Sequence, residues 1–343
     1  MIIFLVSVLI SFLTTFFITP YFMRFLYSAG IVGLDLQKKN KPKLPTSGGI
    51  CVAFGVLAGL LAYIALYTFV PLFFPSISIL IIDVIPLLAV TSSVLIVMFV
   101  GLLDDLNTRS KKVRTKEGYD IRVGFPQWIK PLLTLPAAVP LMAISAGVTT
   151  MAIPFVGNVE FRVLYPLLLI PIGTVGASNL VNMLAGFNGS EAGMGIVYLL
   201  GLGIFALLTE STGSIIFLVT FAALIGFIRY NWYPAKILPG DSLTYLLGSI
   251  VAAGVIVGNM ERAGIIAMLP FIIEFFLKLR VRFKATCLGR LRKDGKLDPP
   301  YGRKVFSWTH LIMNLRAMTE KQVTILLIAI QFCFVIVMFS RIL

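Results

Sequence analysis

Long apolar runs separated by short polar clusters dominate the chain. Ten of them approach the roughly 20 residues that a helix needs to cross the hydrocarbon core of a bilayer. They cover 2–23, 49–70, 79–103, 128–147, 164–184, 193–209, 213–229, 240–258, 262–280 and 323–342, with 193–209 on the short side. The segment 149–163 alternates apolar and polar positions around Gly157 and Asn158, which predicts a small surface hairpin. The main polar stretches are 24–48, 104–127, 184–192, 230–239 and 281–322. The pattern predicts a single all-α polytopic membrane domain over 1–343, with about ten transmembrane helices.

Composition supports this reading. Of 343 residues, 58% are hydrophobic and 13% charged, with mean hydropathy +0.97; a soluble domain carries roughly a quarter charged residues. The first apolar run lacks a basic leader and a small-residue cleavage pattern, so it is expected to be a retained span. Cys51, Cys287 and Cys333 lie far apart, which gives neither a disulfide framework nor metal-ligand spacing. His310 is the only histidine, which excludes a histidine-rich metal centre.

The net charge of +14 is distributed unevenly. All of the 29 Lys and Arg except Arg162, Arg262 and Arg341 fall in or beside the five polar stretches. Basic loops stay on the cytoplasmic side. Those five are therefore expected to be cytoplasmic, and both termini and the 149–163 hairpin outside. Anionic lipid accounts for such a charge, and no nucleic acid is required.

Acidic residues are few, and they cluster. Asp35, Asp104, Asp105, Glu191 and Asp241 all lie in the basic loops or at the span ends facing them, as do Asn179, Asn182 and Asn188. Each has an ordinary reading when taken alone. Asp241 in PGDSLTYLLG suits a helix N-cap. Lys130, opening the fourth span, reads as a snorkelling residue. The basic run CLGRLRKDGKLDPPYGRK reads as a solvated loop. Asp104 and Asp105 read as an ordinary polar helix exit, although a helix C-terminus favours cations and makes two carboxylates locally unfavourable there. In NMLAGFNGSEAGMG, glycines permit close backbone approach and Asn188-Gly189 signals a turn.

Together these residues suggest a site at the inner membrane surface. Carboxylate and amide oxygens without His or Cys fit Mg2+, or Mn2+, and not zinc. Nearby Arg and Lys would take up phosphate charge. The residues by themselves reach metal-assisted phosphoryl transfer to or from a lipid. A secondary transporter would bind at the midplane between repeated halves. Here the apolar centres are nearly free of charge, Glu274 near a span end excepted, and no two-half repeat is evident.

Over nearly its whole length the chain resembles the polyprenyl-phosphate N-acetylhexosamine-1-phosphate transferases, above all their eukaryotic and archaeal dolichyl-phosphate branch. NLVNMLAGFNGSEAG is similar to that branch's N-x-x-N-x-L-A-G-x-N-G-x-E-A-G, and PGDSLTYLLG to its G-D-[ST] element. KPLLTLPAAVPLM resembles its Lys-opened fourth span, and LDLQKKNKPKLPTSGGI its first-loop element. CLGRLRKDGKLDPPYGRK resembles its C-x-x-R-x-R … G-K-L-[DE] loop. The resemblance implies that Asn182 and Asp241 hold Mg2+ and that Asn188 contacts uracil. Asn179 would belong to the substrate site. Glu191 would orient the loop, Lys130 neutralise phosphate, and Arg290 and Arg292 grip the diphosphate. Asp104 and Asp105 would lie beside the metal and the lipid phosphate.

The implied reaction joins UDP-GlcNAc to a polyprenyl or dolichyl phosphate with release of UMP. Direct in-line displacement is the expected route, with Asp104 as a covalent nucleophile the alternative. The implied setting is an archaeal cell membrane or a eukaryotic endoplasmic reticulum membrane. A homodimer is compatible with such a chain, although no interface is legible.

The sequence departs from the family at several points. The third acid of D-D-x-x-D is missing after Asp105, and Asn107 sits one position early. Leu291 stands where the eukaryotic proteins have a histidine linked to sugar recognition, which leaves another UDP-sugar as an alternative. The 109–127 loop is longer than the eukaryotic one. The histidine-rich loop of the peptidoglycan-precursor branch is absent, which argues against a muramyl-pentapeptide substrate.

Overall fold

A computed structural model describes residues 1–74, 83–107, 112–114, 120–122, 125–126, 128–153 and 157–340. The beginning of the third predicted span, the basic residues Arg109, Lys111 and Lys116, and Arg341 lie outside the described residues.

The chain runs α1 (Ile2–Ser28), β1 (Val32–Leu34), β2 (Lys43–Pro45), α2 (Gly49–Phe73), α3 (Val84–Asn107), β3 (Lys112–Arg114) and β4 (Asp120–Arg122). It continues through α4 (Ile129–Thr134), α5 (Val139–Ala143), β5 (Thr150–Ile153), β6 (Gly157–Glu160), α6 (Ile170–Met183), α7 (Ser190–Leu208) and α8 (Gly213–Asn231). It ends with α9 (Gly240–Gly258), α10 (Glu261–Leu279), β7 (Arg290–Leu291), β8 (Lys296–Asp298), α11 (Trp308–Leu315), β9 (Met318–Thr319) and α12 (Glu320–Phe339). The strands are short antiparallel clasps: β1 with β2, β3 with β4, β5 with β6, and β8 between β7 and β9. In the first clasp Val32 lies opposite Pro45 and Leu34 opposite Lys43.

The protein is a helical, multi-pass membrane protein. Eight of the described helices are long and apolar enough to cross a bilayer. The other two of the ten predicted spans differ for identifiable reasons. Prolines 131, 136 and 140 break 129–143 into α4, a 3-10 turn (Leu135–Ala138) and α5. Proline removes a helical donor and clashes with the preceding turn. Helix α10 has the length, but it carries Glu261, Arg262, Glu274 and Lys278.

Helix α9 is the most enclosed of the eight and packs against α3, α6, α8 and α2. Helix α1 packs against α2 and α8 with reversed polarity. Ser7, Ser11, Thr15 and Thr19, four residues apart, are its buried stripe, while Leu5, Leu9, Leu13 and Phe17 are exposed. Small hydroxyl residues let membrane helices approach closely, and leucine is at home in lipid. Ser11 Oγ donates to Val219 O of α8 at 2.8 Å.

The start of α9 is wedged between neighbouring backbones. A Cβ on Gly101 of α3 would lie 2.5 Å from Ser242 Cα, so only glycine permits this approach. Gly240 itself has φ +71°, a left-handed conformation that favours glycine, and a Cβ there would meet Asp105 Oδ2 at 2.4 Å. This contact brings Asp104 and Asp105 up to Asp241.

Candidate active site

Lys130 occupies the centre of the polar cluster. It is 8% exposed, so it does not snorkel. Its Nζ lies 2.6 Å from Asp241 Oδ2 and 3.0 Å from Asp104 Oδ2. The Asp104 carboxylate is enclosed: Oδ1 accepts the Phe125 N–H at 2.8 Å and Oδ2 the Tyr245 hydroxyl at 2.7 Å. Tyr245, one turn after Asp241 on α9, also faces the Asn182 side chain and lies beneath the Lys130 ammonium, 5.8 Å from ring centre to Nζ.

Asp105 does the capping that the sequence suggests for Asp241. Its Oδ1 accepts the Asp241 N–H at 2.8 Å and its Oδ2 the Ser242 N–H at 3.2 Å. The acidic C-terminus of α3 therefore meets the N-terminus of α9, where unpaired N–H groups and the positive end of the dipole favour a carboxylate. Freed from capping, the Asp241 side chain turns to Lys130 and to the neighbouring cavity.

That cavity, about 290 Å3, is lined by residues from distant parts of the chain, among them Asp35, Thr46, Gly186, Asn188, Glu191, Asp241 and Leu288. Asn188 is held firmly. Its Oδ1 accepts from Lys38 Nζ (3.0 Å) and from the Ala235 N–H (2.9 Å), so the oxygen's position is defined by two donors. Its backbone N–H donates to Glu320 Oε1 at 2.8 Å. Lys38 in turn pairs with Glu320 and, at 3.1 Å, with Asp35. Glu191 is buried and accepts the Gly186 N–H (2.8 Å) and the Ser190 hydroxyl (2.7 Å), which holds the 186–191 backbone in its turn.

The other anticipated residues are placed less directly. Asn179 donates to Thr134 Oγ1 (3.1 Å) and Val175 O (2.8 Å), which braces α6 against the helix that carries Lys130. Asn182 is half-buried beside Tyr245. Arg290 and Arg292 are exposed and do not line the cavity. Arg292 lies 3.4 Å from Asp294 and 3.5 Å from Asp298, surface pairs of the kind that contribute little. Leu291, between them, packs against the core, so the residue of that loop that reaches the cavity is Leu288.

The profile of glycosyl transferase family 4 matches residues 87–259, half of the chain. A protein of Saccharolobus solfataricus, provisionally named UDP-N-acetylglucosamine–dolichyl-phosphate N-acetylglucosaminephosphotransferase, is 34% identical over 97% of this chain and 95% of its own length. The chain belongs to glycosyl transferase family 4. The Dictyostelium discoideum UDP-N-acetylglucosamine–dolichyl-phosphate N-acetylglucosaminephosphotransferase is 27% identical, over 93% of this chain and 83% of its own. A phospho-N-acetylmuramoyl-pentapeptide-transferase of Shouchella clausii is 29% identical over 78% of each chain.

The family 4 match spans α3 to α9 and so contains Asp104, Asp105, Lys130, Asn182, Asn188, Glu191 and Asp241. Lys38 and Glu320 lie outside it, and the sequence reading did not single them out. Lys38 was legible there only as loop charge, and Glu320 is separated from Asn188 by 132 positions. Tyr245 is likewise a site residue that the sequence did not distinguish from an apolar face.

The donor set of this family 4 member suits a hard divalent cation. Among the described residues, no three His, Cys, Asp or Glu side chains form a metal cage. Magnesium does not need one, since it is commonly held by one or two protein oxygens together with substrate phosphates. Asp241, with a 30% exposed carboxylate on the cavity, and Asn182 beside Tyr245 offer such oxygens.

Proposed function

We propose that the protein transfers GlcNAc-1-phosphate from UDP-GlcNAc to a dolichyl or other polyprenyl phosphate at the cytoplasmic face of its membrane, with Mg2+ as cofactor. The observation that carries this reading is Asp241. It belongs both to the cavity and to the buried Lys130–Asp104 cluster, so a nucleotide diphosphate in the cavity would lie against a carboxylate that has an ammonium 2.6 Å behind it. The names of the archaeal and Dictyostelium relatives support the choice of sugar and lipid.

In this mechanism an oxygen of the lipid phosphate attacks the β-phosphorus of UDP-GlcNAc. The bond from that phosphorus to the bridging oxygen breaks and UMP leaves. A phosphate monoester has a second pKa of about 6 and is mostly dianionic at neutral pH, so no general base is required. Asp241 and Asn182 would hold Mg2+, which would neutralise charge on the diphosphate. Lys130 moves from its two carboxylates towards the phosphate oxygens, where positive charge stabilises the transition state. Asp104 has both oxygens occupied and no access to solvent, which favours direct displacement over a covalent aspartyl route. Asp105 acts through the Asp241 backbone. Asn188 faces the base, with Lys38 and Glu320 holding it.

Purified protein given dolichyl phosphate, Mg2+ and UDP-GlcNAc is expected to release UMP, and to release none without the lipid. UDP-GalNAc and UDP-glucose are the comparisons. Release from another sugar alone would keep the reaction and change the donor, and no release from any would remove the transferase reading. Because Arg290 is exposed and does not line the cavity, Arg290→Ala is expected to leave the KM for UDP-GlcNAc unchanged; a several-fold rise would mean that this loop closes over the donor.

A further inference from the structure

A buried polar cluster that this mechanism does not use lies behind the cavity wall. Glu274 and Lys278 are one turn apart on α10, and Cys287 follows in the next loop; all three are buried. Lys278 Nζ bonds the Met183 carbonyl, and it lies 3.0 Å from Cys287 Sγ and 3.5 Å from Glu274 Oε1. The Cys287 S–H donates to the same Met183 oxygen at 3.1 Å. Burial pushes the Cys287 thiol up from its ordinary range, which keeps it a neutral donor. Glu274 Oε2 accepts the Trp308 N–H at 3.0 Å, and Thr309 Oγ1 donates to Cys287 O at 2.6 Å.

Net stability is a poor account of this arrangement, because a buried ion pair roughly breaks even against apolar packing. Its location is more informative. Met183 is the last residue of α6, where carbonyls lack helical partners and a cation is favoured. It directly follows Asn182. On the other side, Cys287 directly precedes Leu288, whose Cδ2 lies 3.0 Å from where a Cβ on Gly186 would be. Gly186 and Leu288 both line the cavity. The cluster therefore joins the two backbone strips, 183–186 and 287–288, that meet at this wall.

We infer that Glu274, Lys278 and Cys287 form a positioning device that fixes the cavity wall made by Gly186 and Leu288, and so sets the affinity for the sugar nucleotide; this rests on the donor-cavity reading above. Lys278 is a positioning residue, since it acts through the Met183 carbonyl and the Cys287 thiol. Loss of its charged hydrogen bonds is expected to cost about tenfold in affinity.

The test uses the full-length protein in detergent, with calorimetric UDP binding in Mg2+ alongside steady-state kinetics. Lys278→Met is expected to raise the Kd for UDP and the KM for UDP-GlcNAc about tenfold. The KM for the lipid phosphate and kcat should stay within about twofold. Cys287→Ser, which retains a donor and an acceptor, should bind UDP like the wild type. Cys287→Val, which keeps the ion pair, should weaken UDP binding and covers the case in which Lys278→Met fails to fold. A lowered melting temperature with unchanged UDP affinity would make the cluster merely structural and overturn the inference. A fall in kcat with both KM values unchanged would also overturn it. A wild type that binds UDP but releases no UMP removes the transferase reading and leaves this inference standing.

Discussion

Asp241→Ala is expected to lower turnover at saturating substrates by about 10²–10³-fold, equivalent to roughly 3–4 kcal/mol of transition-state stabilisation. The size follows from the double role of this carboxylate, which faces the cavity while lying 2.6 Å from Lys130. Asp241→Asn keeps the volume and an oxygen but loses the charge, and should fall nearly as far. Raising Mg2+ should not restore either variant, because the deficit lies in the reacting complex as well as in ion affinity. UMP release measured across a Mg2+ titration checks this. Near-wild-type turnover in Asp241→Ala would remove the metal assignment.

Lys130→Met should be as severe for a different reason. The ammonium lies between two carboxylates, and its removal leaves Asp241 facing Asp104, which keeps only its Phe125 and Tyr245 hydrogen bonds, with no cation between them. Breaking such a buried arrangement by deleting one partner costs about 3–5 kcal/mol. Turnover should fall at least about 100-fold, the scale of losing one electrostatic donor. In the absence of substrate, however, Mg2+ should raise the melting temperature of Lys130→Met more than that of the wild type, since two uncompensated carboxylates attract the cation. Lys130→Arg should not rescue turnover, because a planar guanidinium fork is not a substitute for a compact ammonium. If Mg2+ stabilised the variant and the wild type equally, Lys130 would have no part in setting the charge at this site.

Much of this architecture was legible in the sequence because lipid is an unforgiving solvent. Apolar runs identified the helices, and a few carboxylates and amides among them marked where polar chemistry collects. What stayed hidden depends on pairing across the fold. Asp241 suited an N-cap locally, yet Asp105, 136 positions earlier, takes that role and frees the Asp241 side chain. Lys130 looked like a snorkelling residue because nothing in its own helix announces two carboxylates arriving from α3 and α9. Arg290 and Arg292 looked like a clamp, but strand alternation turns Leu291 into the core and leaves both arginines exposed. Lys38 and Glu320 could not be matched with Asn188 without knowing that the first loop and the last helix meet there. The broken helix at 129–143 was foreshadowed by its prolines, but the apolar length alone concealed it.

The stripe on α1 bears on how the protein is assembled. Ser7 and Thr19 return their hydroxyls to carbonyls one turn earlier in their own helix, so these polar atoms are satisfied before any neighbour arrives. During insertion α1 would therefore present two of its four hydroxyls already paired, while Ser11 keeps its own for Val219 of α8. The choice of which side meets α2 and α8 is carried by small side-chain size together with the Ser11 hydrogen bond to Val219. Biogenesis of the first helix and recognition of its partners thus draw on different hydroxyls of the same stripe.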